Sequence, residues 1–369
     1  MPKPVPKVAI VHDWLLAGGA ERVVEALHKL YPDAPIYTSY ATPEWRERLG
    51  GKVITGFLQH PLFGKLRKYV PFLRIWWFTH LDLSEYDIVI SSSGAEAKGI
   101  KVPKSTLHIN YCHAPTHYYW SRYDEYMQHP GFGIFDPLAR LGLWLLAKPL
   151  RHWDYKAAQR PDVMIANSTH TQAAIKQYYH RGSTVIFPPV DISRFANSTP
   201  DTERQGLLVV GRQTPYKRFD LAVQAATKLG TLLTVAGRGP DHERLVRLAG
   251  PSITFNDNAS DADITHYMQT AEGFIFAGID DFGIVAVEAL AAGTPLIAYR
   301  AGGSLDYVIP DKTGVFFDEQ TPDSLAEAIT AFQSMTFDHA AIAQHAQHFS
   351  PATFADQMKA FVDKSYNER

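Results

Sequence analysis

The sequence predicts an α/β protein made of two successive halves in which buried strands alternate with helices. Three observations lead there. Short apolar runs such as Lys7–Val11, Leu207–Val210 and Gly273–Ala277 read as strands covered on both faces, the kind found in parallel sheets. Most are followed by a loop and a segment with helical spacing, as βαβ units require. At 369 residues the chain is too long for one ordinary core. The alternation starts afresh after Pro188-Pro189-Val190-Asp191, so the expected domains are residues 1–187 and 188–348, with a helix over 349–369.

Composition narrows the class. A hydrophobic share of 46% with 20% charged residues is that of a soluble globular protein. A formal net charge of −2 gives no electrostatic case for nucleic acid as a partner. The single Cys112 excludes an intramolecular disulfide and fits a reducing compartment. No C-x-x-C or H-E-x-x-H pattern suggests a metal site. The first apolar run is too short for a signal peptide and leads straight into a strand. The longest apolar stretch, Ile134–Leu150, is interrupted by Asp136, Arg140 and Lys148, so no transmembrane helix is expected and the location reads as cytoplasmic.

In the first half, Lys7–Val11 runs through His12-Asp13-Trp14 and Gly18-Gly19 into a helix ending near Leu30. Glycines at that point let a backbone approach an anion at a helix N-terminus, or serve only a tight turn. The full G-x-G-x-x-G is absent. Residues 48–81 hold Arg48, Lys52, Lys65, Arg67, Lys68 and Arg74 but no acid, among many aromatic and aliphatic side chains. That composition suits a segment lying in a membrane interface, or a helical pair on the sheet with a solvated basic edge. Pro61 and Pro71 divide it. Strands are expected over 86–93 and 106–111, the second delivering His113 to a loop. Gly131–His152 is a second aromatic-rich stretch, either a core helix or another interfacial face. Strands over 162–166 and 184–187 close this half.

In the second half, Leu207–Val210 leads to Gly211-Arg212 and Lys217, two cations around one strand-to-helix loop. They converge on one anion if the loop folds back, or are solvated separately. Thr231–Ala236 precedes Gly237-Arg238-Gly239-Pro240, and Ile253–Phe255 is a short strand. The stretch around which this half is organised is Asp280–Gly293, DDFGIVAVEALAAG, between the strands Gly273–Ala277 and Pro295–Tyr299. Gly293 and Pro295 end its helix. Glu288 is the single charge between Asp281 and Arg300, among Ile284, Val285, Val287, Leu290 and Ala291. A carboxylate there either snorkels to solvent or accepts hydrogen bonds from a ligand.

These motifs, in this order, resemble the retaining family-4 glycosyltransferases of the GT-B fold over nearly the whole chain. Asp280 and Glu288 resemble the family's acid-x7-acid motif, with Asp in the first position and Asp281 beside it. Gly211-Arg212 with Lys217 resembles its basic pair, and Gly237–Pro240 its glycine turn. His12-Asp13-Trp14, Gly18-Gly19-Ala20-Glu21-Arg22 and Tyr111-Cys112-His113-Ala114-Pro115 resemble a subgroup that builds surface polysaccharides and many of whose members use GDP-mannose. His117 stands where that subgroup often carries Arg.

The resemblance implies two Rossmann-like domains facing each other across a cleft, with the C-terminal helix returning to the first. It implies transfer of a hexose, mannose from GDP-mannose, to a polyprenyl-diphosphate-linked glycan, with peripheral contact to an anionic membrane at its inner face and no metal. Glu288 would accept the ribose hydroxyls and Asp280 the hexose hydroxyls. The amides of Phe282, Gly283, Ile284 and Val285 would face the diphosphate, with Arg212 and Lys217 adding positive charge, and Gly18-Gly19 would admit the ligand closely. His113 would lie near the reacting carbon. A sugar-nucleotide epimerase and a non-catalytic binding subunit are the competing readings.

Overall fold

The computed structural model describes residues 5–16, 18–63, 71–128, 133, 136–195 and 203–369. They fall into two compact units, Met1–Pro188 with Phe354–Arg369, and Pro189–Thr353.

The first unit is built on a seven-stranded sheet: β1 (Val8–His12), β2 (Ile36–Thr38), β3 (Val53–Thr55), β4 (Ile88–Ser93), β5 (Leu107–Cys112), β6 (Val163–Ala166) and β7 (Thr184–Val185). Their order is β3-β2-β1-β4-β5-β6-β7 and every pair is parallel. β4 and β5 are buried throughout, which explains their unbroken apolar and small-residue runs. On one face Ile10, Ile90 and Ile109 pack with Val23, Val24 and Leu27 of the helix Ala20–Leu30. The same core takes Phe354, Met358 and Val362 from the helix Pro351–Asn367.

The second unit carries β8 (Leu207–Val210), β9 (Leu233–Ala236), β10 (Ile253–Asn256), β11 (Gly273–Phe276), β12 (Leu296–Tyr299) and β13 (Gly314–Phe317), in the order β10-β9-β8-β11-β12-β13, again all parallel. The helices Phe219–Leu229 and Pro322–Gln333 cover its core through Leu221, Ala225, Leu325 and Ile329. In each sheet the strand order reverses once, between β1 and β4 and between β8 and β11. Loops leave such a switch point in opposite directions, and open α/β sheets bind ligands in the crevice so formed at the strands' carboxyl ends.

Three strands escape the sequence reading. β2 and β3 are three residues long and β13 four, and the sequence reading assigns no strand to any of them. Their pairing comes from neighbours, as Ile36 with Ile10 and Gly314 with Leu296.

The acid-free stretch 48–81 needs a correction. Arg74 is no surface base: it is buried, and donates to Glu96 from Nε at 2.9 Å and Nη2 at 2.7 Å. Arg48 pairs with Glu25 at 2.7 Å. The acids lie outside the stretch in sequence and inside it in space. Leu58 and Phe78 are interior, whereas Leu62, Phe72 and Trp76 are exposed. Lys65, Leu66, Arg67, Lys68 and Val70 lie outside the described residues, as do Gly131, Phe132, Ile134 and Phe135 of the second aromatic stretch. Among the described residues no helix is long and apolar enough to cross a membrane.

Candidate functional site

The carboxyl ends of β8 and β11 bring together the second unit's predicted residues. After β8 the chain passes Gly211 and the exposed Arg212 into a 3₁₀ turn, Pro215–Lys217, before the helix Phe219–Leu229. After β11 it passes Ala277-Gly278-Ile279-Asp280-Asp281 to the helix Ile284–Ala291. The two loops meet at Gly278. A Cβ there would stand 2.8 Å from both Lys217 Cα and Tyr216 O, so only glycine lets the strands' exits approach this closely. Beyond the contact, Lys217 Nζ donates to Asp280 Oδ2 at 2.8 Å, and each side chain keeps 17% of its surface in solvent. Asp280 is held from behind by its own carbonyl, which accepts from Gly303 N at 2.9 Å.

The helix Ile284–Ala291 begins at Gly283, whose φ of 90° is a left-handed conformation that a side chain disfavours. The first helical amides, of Ile284 and Val285, follow directly from that turn. Those amides have no intrahelical acceptor and sit at the positive end of the helix dipole. At its other end the helix closes in a Schellman pattern: Gly293 (φ 75°) donates to Leu290 O at 2.9 Å and Thr294 N to Ala289 O at 2.9 Å. Phe282 packs its ring against Tyr307 and Phe349, so its part in the loop is an anchor plus a backbone amide. Burial, and then the charge of Asp280, push the Tyr307 hydroxyl well above its usual range, and it stays a neutral phenol.

Glu288 is buried on this helix, and the structure supplies its partner. Arg194, from the 3₁₀ turn Ser193–Phe195, places Nη1 3.9 Å from Glu288 Oε1. The same guanidinium donates to Thr265 Oγ1 at 2.8 Å and to Asp261 O at 2.8 Å. The simple snorkelling picture does not hold, because the carboxylate is buried beside a fixed cation. The glycine turn after β9 supports the β8 loop: Asp241 N donates to Gln213 O at 3.1 Å, and Gln213 donates back to Gly237 O at 2.5 Å.

In the first unit, the carboxyl ends of β1, β4 and β5 gather histidines. His12 donates from Nδ1 to Ser92 O at 2.7 Å, and His113 Nε2 shares a 2.8 Å hydrogen bond with Ser92 Oγ. The two imidazoles stand edge to face at 6.1 Å. Asp13 is structural: its carboxylate accepts from Gly94, Ala95 and Ala97 amides at 2.9, 3.0 and 2.7 Å, pinning the turn after β4 to the end of β1. Gly18 and Gly19 are exposed and precede the helix Ala20–Leu30 with neither residue at positive φ. A tight turn therefore does not require glycine at either position. Among the described residues no three His, Cys, Asp or Glu side chains are grouped as a metal site.

Two family models match consecutive parts of the chain. Glycosyltransferase Family 4 matches residues 17–194, and Glycosyl transferases group 1 matches residues 191–349. This chain belongs to the family-4 glycosyltransferases.

Its relatives are distant. The glycogen synthase of Mycobacterium tuberculosis is 32% identical over 177 residues, 44% of this chain and 42% of that protein. The chain thus spans less than half of that relative's length. A Mus musculus GDP-Man:Man(3)GlcNAc(2)-PP-Dol alpha-1,2-mannosyltransferase is 25% identical over 416 residues, covering 95% of this chain and 84% of the mouse protein. Among solved structures, Anabaena Alr3699/HepE in complex with UDP superposes with a TM-score of 0.68 over 97% of this chain and 100% of its own, at 18% identity. That likeness establishes the GT-B fold. Within this family-4 chain, the residues that sequence reasoning missed are Arg194, Ser92 and Gly278. Arg194 could be sought from Glu288, whose place on an apolar helix called for a cation without saying where. Nothing in sequence flags Ser92 or Gly278, whose importance is one of position.

Proposed function

We propose that this chain is a retaining hexosyltransferase that moves mannose from GDP-mannose to a lipid-linked glycan during synthesis of a surface polysaccharide, with side-chain cations in place of a metal. One observation carries the reading: Lys217 and Asp280 are paired at the β8/β11 switch point, beside the amino end of the helix that bears Glu288. The name of the mouse relative, with its GDP-Man donor and PP-Dol-linked acceptor, supports the donor and acceptor classes. The UDP held by the Anabaena protein keeps a uridine donor as the competing choice.

In this reading Glu288, with Arg194 3.9 Å away, accepts the ribose hydroxyls. The amides of Phe282, Gly283, Ile284 and Val285 receive the diphosphate. Lysine has three N–H donors, so Lys217 can hold Asp280 and a phosphate oxygen together. Asp280 then has its carboxylate oriented toward the hexose hydroxyls. Arg212 adds a second cation. Negative charge grows on the departing diphosphate as the C1–O bond breaks, so fixed cations there lower the barrier rather than only binding substrate. The acceptor oxygen bonds to C1 on the face the diphosphate leaves, and its proton passes to the departing phosphate oxygen, giving GDP and the extended glycan. In the first unit, His113 offers a ring nitrogen whose partner is Ser92 Oγ. The test is mannose transfer from GDP-mannose, with and without a chelator. Transfer that survives the chelator supports both the donor and the role of the side-chain cations. Transfer from UDP-hexoses alone overturns the donor.

A further inference from the structure

His12 closes β1 at the point where the first sheet reverses its strand order, and it is only 2% exposed. One of its ring nitrogens is committed. Nδ1 lies 2.7 Å from Ser92 O, and a carbonyl oxygen only accepts, so Nδ1 carries the hydrogen. The neutral ring then keeps its lone pair on Nε2. That nitrogen makes no hydrogen bond among the described residues, yet it is not sealed inside and reaches the molecular surface. His108 is the contrary case: Nε2 shares a hydrogen bond with Ser91 Oγ at 2.8 Å, and Nδ1 is enclosed without a partner. The groups beside His12 are engaged elsewhere. Asp13 turns its carboxylate to the amides of Gly94, Ala95 and Ala97, and Ser92 Oγ is taken by His113. The lone pair on Nε2 therefore asks for a donor from outside the protein.

We propose that His12 Nε2 accepts a hydrogen bond from a hydroxyl of the acceptor sugar, a substrate contact separate from His113; this rests on the transferase reading above. An imidazole anchored through Nδ1–H cannot offer Nε2 as a donor while neutral, so it selects a hydroxyl over a phosphate or carboxylate oxygen. In the chemistry proposed above, the attacking hydroxyl gives its proton to the departing phosphate oxygen. The hydroxyl that His12 receives is therefore a neighbouring one on the same ring, and the contact orients the acceptor without moving a proton. A second feature of this strand exit suits a sugar. Trp14, two residues on, is half-buried, and the Arg74 guanidinium lies over its ring at 4.9 Å. Arg74 is itself held by Glu96 through two hydrogen bonds. An indole fixed in this way offers an apolar surface to the C–H face of a sugar at little entropic cost. Ser92 links the new contact to His113. Its carbonyl holds His12 and its hydroxyl holds His113, so the two rings keep their 6.1 Å spacing.

The experiment is the initial rate of transfer from GDP-mannose to a polyprenyl-diphosphate-linked glycan, with each substrate varied in turn. His12→Asn places an amide N–H where Nδ1 stood, so the bond to Ser92 O can remain while the Nε2 lone pair is lost. It should raise the KM for the glycan roughly tenfold, with the KM for GDP-mannose and the melting temperature unmoved. His12→Gln carries an amide oxygen to the place of Nε2 and should recover part of the glycan KM. An unchanged glycan KM in His12→Asn overturns the inference and leaves His12 an anchor for β4. So does a KM that rises equally for both substrates, or a loss that His12→Gln does not relieve. A wild-type chain that transfers from no sugar nucleotide would instead sink the transferase reading, and this contact with it.

Discussion

Lys217 Nζ and Asp280 Oδ2 stand 2.8 Å apart at the point where the second sheet reverses its strand order, each side chain partly open to solvent. The pair couples the two loops that leave the switch point, and on the proposed reading it orients the shorter acid in the first position of the acid-x7-acid motif. The lysine reaches to the aspartate, so the carboxylate is oriented without the extra methylene of a glutamate. Removing the lysine removes a cation from the departing charge. Lys217→Ala should lower kcat by about 10²–10³, and a melting temperature measured beside it separates the lost cation from any loss of the partly buried pair's stability. Asp280→Asn should keep nucleotide binding and lose turnover. Initial rates at saturating donor, beside calorimetric affinities for the nucleoside diphosphate, separate the two effects.

Arg194 and Glu288 make the second pair, 3.9 Å apart and, on the carboxylate side, less exposed. Glu288→Gln removes charge-assisted hydrogen bonds, each contributing about 1.5–3 kcal/mol. The donor KM should rise roughly tenfold, with kcat changing less. Arg194→Met should reproduce part of that loss and Arg194→Lys should recover some of it. A pure stability role for Arg194 would instead lower the melting temperature and leave KM unmoved.

Backbone closeness at Gly278 is testable by one methyl group. Gly278→Ala drives a Cβ to 2.8 Å from Lys217 Cα. The expected result is destabilisation of about 1–3 kcal/mol together with lost turnover, because the displaced residue carries the lysine. Gly142→Ala is the contrast. It sits within the helix Asp136–Ala158 with nothing within 4 Å of its added methyl, and should stabilise by about 0.5–1 kcal/mol. Denaturant midpoints of both variants check this.

His108 sets an acid limit on stability. Burial, helped by the nearby Arg160 and Arg181 charges, lowers its pKa from 6.5 to about 3. The folded state therefore binds fewer protons than the unfolded state between those values. Stability from this residue is complete above pH 6.5 and falls as pH drops through the window toward 3. Two pH units into the window the loss is about 2–3 kcal/mol. A His108→Gln variant should show a flatter decline of melting temperature than the wild type as pH falls from 6.5 toward 3.

The parallel sheets were legible because both faces of their central strands are covered, which forces runs such as Ile88–Ser93 to be apolar or small. β2 and β3 were not, since three residues carry no period; β13, as long as β8 and paired with its sequence neighbour β12, was missed for no such reason. The motif residues of the second unit were legible as types at spacings, but their pairing was not. Sequence offered Arg212 to Lys217 as a partner, and the fold gave it Asp280. Arg74 looked like a surface base because its acid, Glu96, lies beyond the stretch being read. Glu288 was legible as an anomaly, a carboxylate on an apolar helix, while Arg194 came from a turn that no local pattern connects to it.

Sugar transfer at the Lys217–Asp280 site is decided by the rate at which labelled mannose passes from GDP-mannose to a polyprenyl-diphosphate-linked glycan. Lys217→Ala, shown to be folded, is measured beside the wild type. Transfer by the wild type and a drop of about a hundredfold or more in the variant are expected. Tight binding of GDP by both proteins, with no transfer or hydrolysis of any sugar nucleotide by either, would contradict a transferase site there.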